Sequence, residues 1–336
     1  MKKKYAVLSV FLFIISICCG KNRNAPFTEV NFRLLWMPQS QFAGYIVAKV
    51  KGFYNEKGLN VNLLPGGPDL KPHMTVASGT DQIGISVPNS VIAARSNNVP
   101  LTIIAQIFQD SANRYILKKK NKINDLRELR GKKIGLWLGG DEVEFVAMLK
   151  TVGMKLSDVE VIPQGFSVVP FLEDKYVLSQ VTTYNELNLI RDQGYDNDKL
   201  QILSPKDYDC AILGDAIFCA ERYLKENTII VSRFLEASIL GWRYCFEHFD
   251  EAVDIIVKYN PELKNDDQKK QLKAVLDLIK CGSTLENGIG YVNEPDLATA
   301  ERILFESGQI DKRVNPKDTY NSSAWKLISP EVKRIK

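Results

Sequence analysis

Between a short strand pattern and a helix, the segment WMPQSQFAGYIVAKVKGFYNEKGL (Trp36 to Leu59) gathers side chains suited to holding a flat molecule. Trp36, Phe42 and Tyr45 offer aromatic faces, and Gln39 and Gln41 offer amide donors and acceptors. Three further places invite the same chemistry. Asp215 stands in an otherwise apolar run, where a lone carboxylate needs a protein donor or the N–H groups of a ligand. Tyr184, Asn185 and Glu186 lie at a strand-to-helix turn, and Gly139, Gly140 and Asp141 follow the apolar strand that carries Trp137. Each has a plain structural role open to it as well. Phe42 and Tyr45 would pack a helix on its sheet, Trp137 would be core, and Asn185 would cap a helix. The Gly139–Gly140 turn could receive an anion at a helix start. It lacks the Lys-Ser/Thr of a P-loop and the spacing of GxGxxG, which leaves nucleotide hydrolysis unsupported.

The elements that must position these residues can be read from periodicity. Val30, Phe32 and Leu34 alternate with Glu29, Asn31 and Arg33, which predicts a strand over Glu29–Trp36. Further strands are expected at Asn60–Leu64, Gln82–Val87 and Leu101–Phe108, with helices at Gln41–Lys51, Leu70–Ser78 and Asn89–Asn97. Gly66 and Gly67 in the turn PGGPD permit backbone closed to other residues, and Pro88–Asn89 suit a helix start. This βαβ rhythm implies a mostly parallel sheet covered on both faces. A second rhythm follows Lys118: a short helix at Asp125–Leu129, then strands at Gly131–Leu138, Val159–Ile162, Val177–Thr182, Leu200–Leu203 and Ala211–Ile217. Helices are expected within it at Ser167–Glu173 and Asn185–Gln193. From Ala220 the pattern turns helical, with a break near His248–Phe249 inside Thr228–Tyr259 and further helices at Asp267–Ile279 and Glu294–Glu306.

At 336 residues, with 45% hydrophobic and 25% charged side chains, the chain is long enough for two globular units. A net charge of +4 and the single internal basic cluster, Lys118 to Lys120, give no support to nucleic-acid binding, and that cluster reads as a solvated edge or crossover. The N-terminus carries three lysines, an apolar run of about 13 residues from Tyr5 to Ile17, and then Cys18 and Cys19. That run is shorter than the roughly 20 residues a membrane-spanning helix needs. It resembles a bacterial lipoprotein signal over residues 1–19, with Cys19, or Cys18, as the lipid acceptor and residues 20–28 as a tether. Cys210, Cys219, Cys245 and Cys281 show no zinc or redox spacing and are expected as buried small hydrophobes. With His73 and His248 as the only histidines, a histidine-based metal site is not expected.

The run PQSQFAGYIVAKVKGFYNEKGLNV resembles the opening motif of solute-binding proteins of ABC importers, a family that includes binders of thiamine pyrimidine precursors and of riboflavin and, more distantly, of alkanesulfonates. The resemblance continues in order through PGGPD, VASGTDQIGI, AQIFQDS, LRGKKIGLWLGGDEVEF, TTYNEL and ILGDAIFC, covering roughly Glu29 to Ser307. It implies the α/β type II periplasmic-binding fold, two lobes joined by hinge crossovers. Lobe 1 would hold residues 29–114 and 223–336 and lobe 2 residues 115–222, with crossovers near Ser111–Lys118 and Phe218–Lys225. A cleft between the lobes would draw its contacts from Trp36, Gln39, Gln41, Phe42, Ser86, Pro88, Asn89 and Gln109 on one side. Trp137, Gly139, Asp141, Tyr184, Asn185, Glu186 and Asp215 would face them. The resemblance implies an exported, non-catalytic receptor for a small heteroaromatic, acting as a monomer, without cofactor, on ABC permease subunits and tied to the membrane by its lipid anchor. The ligand it favours is a hydroxymethylpyrimidine-type thiamine precursor, with riboflavin or another flavin as the alternative. A eukaryotic relative synthesises the thiamine pyrimidine with a histidine where this chain has Phe42 and with a cysteine cluster where Cys210 and Cys219 stand apart. Those departures argue against the enzyme reading.

Overall fold

In the computed structural model, which describes residues 27–335, the opening alternation forms β1 (Thr28–Arg33), with Val30 and Phe32 buried and their neighbours turned outward. β2 (Leu59–Leu64) pairs parallel to it from Thr28–Leu59 to Arg33–Leu64 and repeats the pattern. β3 (Ile83–Ser86) and β4 (Leu101–Gln106) are buried on both faces, as apolar strands under helices on either side should be. The second unit contributes β5 (Asn113–Lys118), β6 (Lys133–Leu136), β7 (Glu160–Pro163), β8 (Leu178–Thr182) and β9 (Leu200–Leu203), after which β10 (Ala216–Ala220) rejoins the first. The sheets run β2-β1-β3-β10-β4 and β7-β6-β8-β5-β9. Each is parallel except for one reversed strand, β10 in the first and β5 in the second.

The longer helices are α1 (Ala43–Val50), α2 (Pro72–Ala77), α3 (Pro88–Ser96), α4 (Val143–Thr151), α5 (Glu186–Asp192), α6 (Thr228–Glu247), α7 (Phe249–Tyr259), α8 (Asn265–Ile279) and α9 (Glu294–Glu306). The expected break at His248–Phe249 separates α6 from α7. Helix α9 packs on both α3 and α4, placing Ala300, Ile303 and Leu304 in the core of the second unit and so bracing the two units against each other.

Four expectations about the segments that join the two sheets are corrected. Asn113–Lys118 is the interior strand β5 rather than a crossover: Tyr115, Ile116 and Leu117 are wholly buried, and a two-sided apolar strand leaves no alternation to detect. Phe218 and Cys219 are likewise buried on both faces in the first sheet, so the chain returns through residues 204–215 and not at Phe218–Lys225. The strand expected over Ala211–Ile217 begins only at Ala216. Gly214 lies so close to Phe108 that a Cβ would fall 2.9 Å from its ring, and Asp215 takes φ +30°, which ends extended structure there. The outward passage runs through residues 107–112. Lys118, expected at a solvated edge, is buried: its ammonium donates to the Leu172 carbonyl at 2.8 Å and meets Asp174 at 2.9 Å. The signal, Cys18, Cys19 and the tether up to residue 26 lie outside the described residues. Of the expected tether, Thr28 already belongs to β1.

The first sheet is anchored by an aromatic cluster. Phe32 packs edge-on to Tyr45 at 4.9 Å and to Phe234 at 5.0 Å, and Tyr45 packs edge-on to Trp242 at 5.5 Å. Each such side chain contributes about 1.5–3 kcal/mol on burial. The cluster depends on α1 and α6 approaching closely. A Cβ on Gly44 would fall 2.3 Å from the Trp242 ring, and one on Gly241 would fall 1.9 Å from the Gly44 carbonyl oxygen. Gly241→Ala must push these helices apart. We predict a loss on the order of 2 kcal/mol or more in urea unfolding, and wild-type stability would show that the helices do not approach this closely.

Candidate ligand-binding site

The turn after β1 is fixed from the far end of the chain. Gln268 of α8 accepts from the Ser40 amide at 2.8 Å, and the Ser40 hydroxyl donates back to the Gln268 carbonyl at 3.0 Å. This holds a chain of side-chain amides in line. Gln271 donates to Gln39 at 3.2 Å, Gln39 donates to Gln41 at 3.2 Å, and the Gln41 amide donates to both oxygens of Asp215 at 3.2 and 3.1 Å. Gln41 is 2% and Asp215 3% exposed, so the carboxylate stands at the closed end of the line. Burial pushes the Asp215 carboxyl up to about 7, against the pull of the Gln41 hydrogen bonds. Tyr184 lies near enough for Asp215, Glu186 and Asp141 to raise its phenol further, after burial itself. Its ring meets Phe108 edge-on at 6.2 Å, joining the two units beside the carboxylate.

The other expected contacts divide into those left partly exposed or unpartnered and those spent on the protein's own packing and hydrogen bonds. Trp36 is half-buried, and its ring centroid lies 4.8 Å from that of Phe166, which follows β7 in the second unit. Trp137 is half-buried too. Its indole N–H donates to the Gly165 carbonyl at 3.2 Å, and its backbone amide donates to Gln180 at 3.1 Å. Asp141 is an exposed residue whose carboxyl is nonetheless raised by desolvation, while Lys71 of the first unit pulls it down. Its carbonyl accepts from Gln180 at 2.8 Å. Asn89 opens α3 with a buried side-chain oxygen that accepts no hydrogen bond from the protein. A ligand N–H is the natural partner for such an atom.

Phe42 is corrected from contact to core. It is 0% exposed beneath α1, as its place in the helical repeat also allowed, and Tyr45 is likewise sealed in. Gln109 is spent on the carbonyls of Gln106 and Tyr291, at 3.0 and 3.1 Å. Ser86 is 4% exposed and accepts from the Ser90 hydroxyl at 2.9 Å, and Pro88 is buried at the first turn of α3. Glu186 is a brace within its own turn, accepting from the Thr182 amide and hydroxyl and from Asn185. Asn185 therefore serves Glu186, and its side chain makes no helix cap. Gly139 and Gly140 both take positive φ, and the Gly140 amide already donates to Glu142 at 2.9 Å, which occupies the turn that could have received an anion.

Periodicity missed Phe166, Gln271 and Glu144. Glu144 is buried on α4 and holds both passages between the sheets. It accepts from the Ser111 hydroxyl at 3.1 Å, the Asn113 amide at 2.7 Å and the Ile212 backbone N–H at 2.6 Å. An acidic residue flanked by apolar ones on a helix, Val143 and Phe145 here, was the available signal. Among the described residues no group of three His, Cys, Asp or Glu could hold a metal ion, the four cysteines are free, and no helix is long and apolar enough to cross a membrane.

The site residues from Gln39 to Asp215 fall inside the segment, residues 39–252, that matches the family model described as NMT1/THI5 like. The chain belongs to the NMT1/THI5-like family. Within this family's reach, a riboflavin-binding protein, RibY, of Chloroflexus aurantiacus is 24% identical over 309 residues, covering 90% of this chain and 87% of the relative. A formylaminopyrimidine-binding protein of Halalkalibacterium halodurans is 22% identical over 314 residues, covering 90% and 92%. The 4-amino-5-hydroxymethyl-2-methylpyrimidine phosphate synthase THI11 of Saccharomyces cerevisiae is 25% identical over 254 residues, covering 72% and 74%. The fold is that of the periplasmic aliphatic sulphonate binding protein SsuA of Escherichia coli, with a TM-score of 0.68 at 14% identity over 87% of this chain and 92% of that one. It is the type II periplasmic-binding fold.

Asp215 gives the site a pH signature. Unfolded, its carboxyl releases its proton near 3.8; folded, it keeps the proton to about 7. Between these values the folded chain binds more protons, so raising the pH removes stability. Glu144, raised to about 7 by burial, acts in the same direction. Asp215→Asn should remove its share of the decline between about pH 4 and 7, on the order of 4 kcal/mol in urea titrations. A mutant whose stability falls with pH as steeply as wild type contradicts the assignment.

Proposed function

We propose that this protein is the extracytoplasmic substrate-binding component of an ABC importer, capturing a hydroxymethylpyrimidine-type thiamine precursor between its two lobes and delivering it to the permease. The observation that carries the reading is the line of amides ending on the buried Asp215 beside Tyr184. A carboxylate and an unpartnered Asn89 oxygen are acceptors for the amino group of an aminopyrimidine, and flat side chains supply area against its ring. The pyrimidines named in two of the relatives, one a binding protein and one a synthase, support this choice. A riboflavin ligand is the second reading, supported by the relative named for it, which aligns with 90% of this chain.

A receptor is favoured over a synthase because Phe42, where the resemblance would place the enzyme's histidine, is sealed in the core. The lobes would be residues 27–112 with 216–335, and 113–215, closing about the passages at 107–112 and 204–215. The exported chain would carry its lipid on Cys19, or Cys18, and work as a monomer. The test is isothermal calorimetry and thermal shift with 4-amino-5-hydroxymethyl-2-methylpyrimidine, formylaminopyrimidine, thiamine, riboflavin and an alkanesulfonate. A ligand of the folded state at about 100 times its Kd adds about 2.7 kcal/mol. Binding of a pyrimidine is expected, riboflavin alone would establish the second reading, and a response to the alkanesulfonate alone would refute both.

A further inference from the structure

In the second sheet β6, β7 and β8 run parallel, so their carboxyl ends share one edge. Trp137 follows β6 there and Tyr184 follows β8; the loop after β7 is the third member of that edge and carries Phe166. The loop is pinned just before that residue. The Gln164 backbone N–H donates to the Leu136 carbonyl at 3.0 Å, its side-chain amide donates to the Gln180 carbonyl at 2.6 Å, and Gly165 accepts from Trp137. Phe166 therefore projects from a fixed base. It is 57% exposed, and it meets Trp36 of the opposite unit, with ring planes inclined at 58°.

Building on the receptor reading, we infer that Phe166 is a ligand-contact residue and forms with Trp36 an aromatic gate that admits and then sandwiches a planar ring. The geometry sets the size of the motion. A ring between two others needs two van der Waals separations of about 3.5 Å, about 7 Å in all, against the 4.8 Å that now separates the centroids. The gate must part by about 2 Å and its rings must turn towards parallel. An aliphatic sulphonate offers no face to either ring, so the gate selects aromatic ligands over anions of that kind. Met37 and Leu138, next in sequence to Trp36 and Trp137, are exposed as well.

The test is stopped-flow release of 4-amino-5-hydroxymethyl-2-methylpyrimidine and of riboflavin from the wild-type protein and from Phe166→Ala and Phe166→Tyr. Phe166→Ala should release whichever ring the wild type binds about tenfold faster or more, and Phe166→Tyr should stay within about threefold of wild type. Release from Phe166→Ala at the wild-type rate, or equal acceleration in both variants, overturns the inference. A measurement without ligand separates this from the receptor reading: acrylamide quenching of Trp36, assigned by difference from Trp36→Phe, should rise in Phe166→Ala. If the wild type binds neither ring, the receptor reading fails. The gate then stands on increased quenching and falls on unchanged quenching.

Discussion

A single carboxylate holds both passages of the chain between its two sheets. Glu144 is taken out of water in the first turn of α4, a placement that costs several kcal/mol unless donors meet it. They come from Ser111 on the outward passage, from Asn113 where that passage enters β5, and from the Ile212 backbone on the return. The passages also bond to each other: the Ile107 amide donates to the Asp215 carbonyl and the Gly214 amide to the Asp110 carbonyl. Asp215 follows directly, and its positive φ persists because Gly214 is packed against Phe108 and Gln106 bonds the Gly214 carbonyl. The position of the cleft carboxylate is thus a consequence of how the passages are tied.

From that point the site is built outward by direction. Each amide in the line from Gln271 donates to the next, so every link presents its donor towards Asp215. The aromatic groups lie on two levels. Tyr184 and Phe108 close the inner end where the lobes meet, and Trp36 and Phe166 meet at the outer end. In the proposed receptor a flat molecule with N–H groups on one edge would meet both features, with hydrogen bonds supplying discrimination and ring faces supplying area.

Much of this was legible in the sequence, because alternation and helical spacing report burial directly. β1, β2, the break between α6 and α7, and the isolation of Asp215 in an apolar run were all visible. What stayed hidden has physical reasons. β5 and β10 are buried on both faces and carry no period, so the crossovers were placed too far along the chain. Phe42 and Tyr45 have the same residue type as a ligand contact, and only packing on Phe32 and Trp242 decides that Tyr45 faces inward. Glu186 was legible as polar at a turn but not as the acceptor for its own Thr182. Phe166 and Gln271 join the site through partners 130 and 232 residues away, a separation at which local pattern carries no information.

The central claim is that one ligand is held by both lobes at once, against Gln41 and Asp215. Hydrogen–deuterium exchange of the protein with and without saturating pyrimidine or riboflavin tests it most directly, because protection maps to segments. The account predicts simultaneous protection of residues 36–45, 163–168 and 211–217. Protection confined to one lobe, or found only outside these segments, would contradict it.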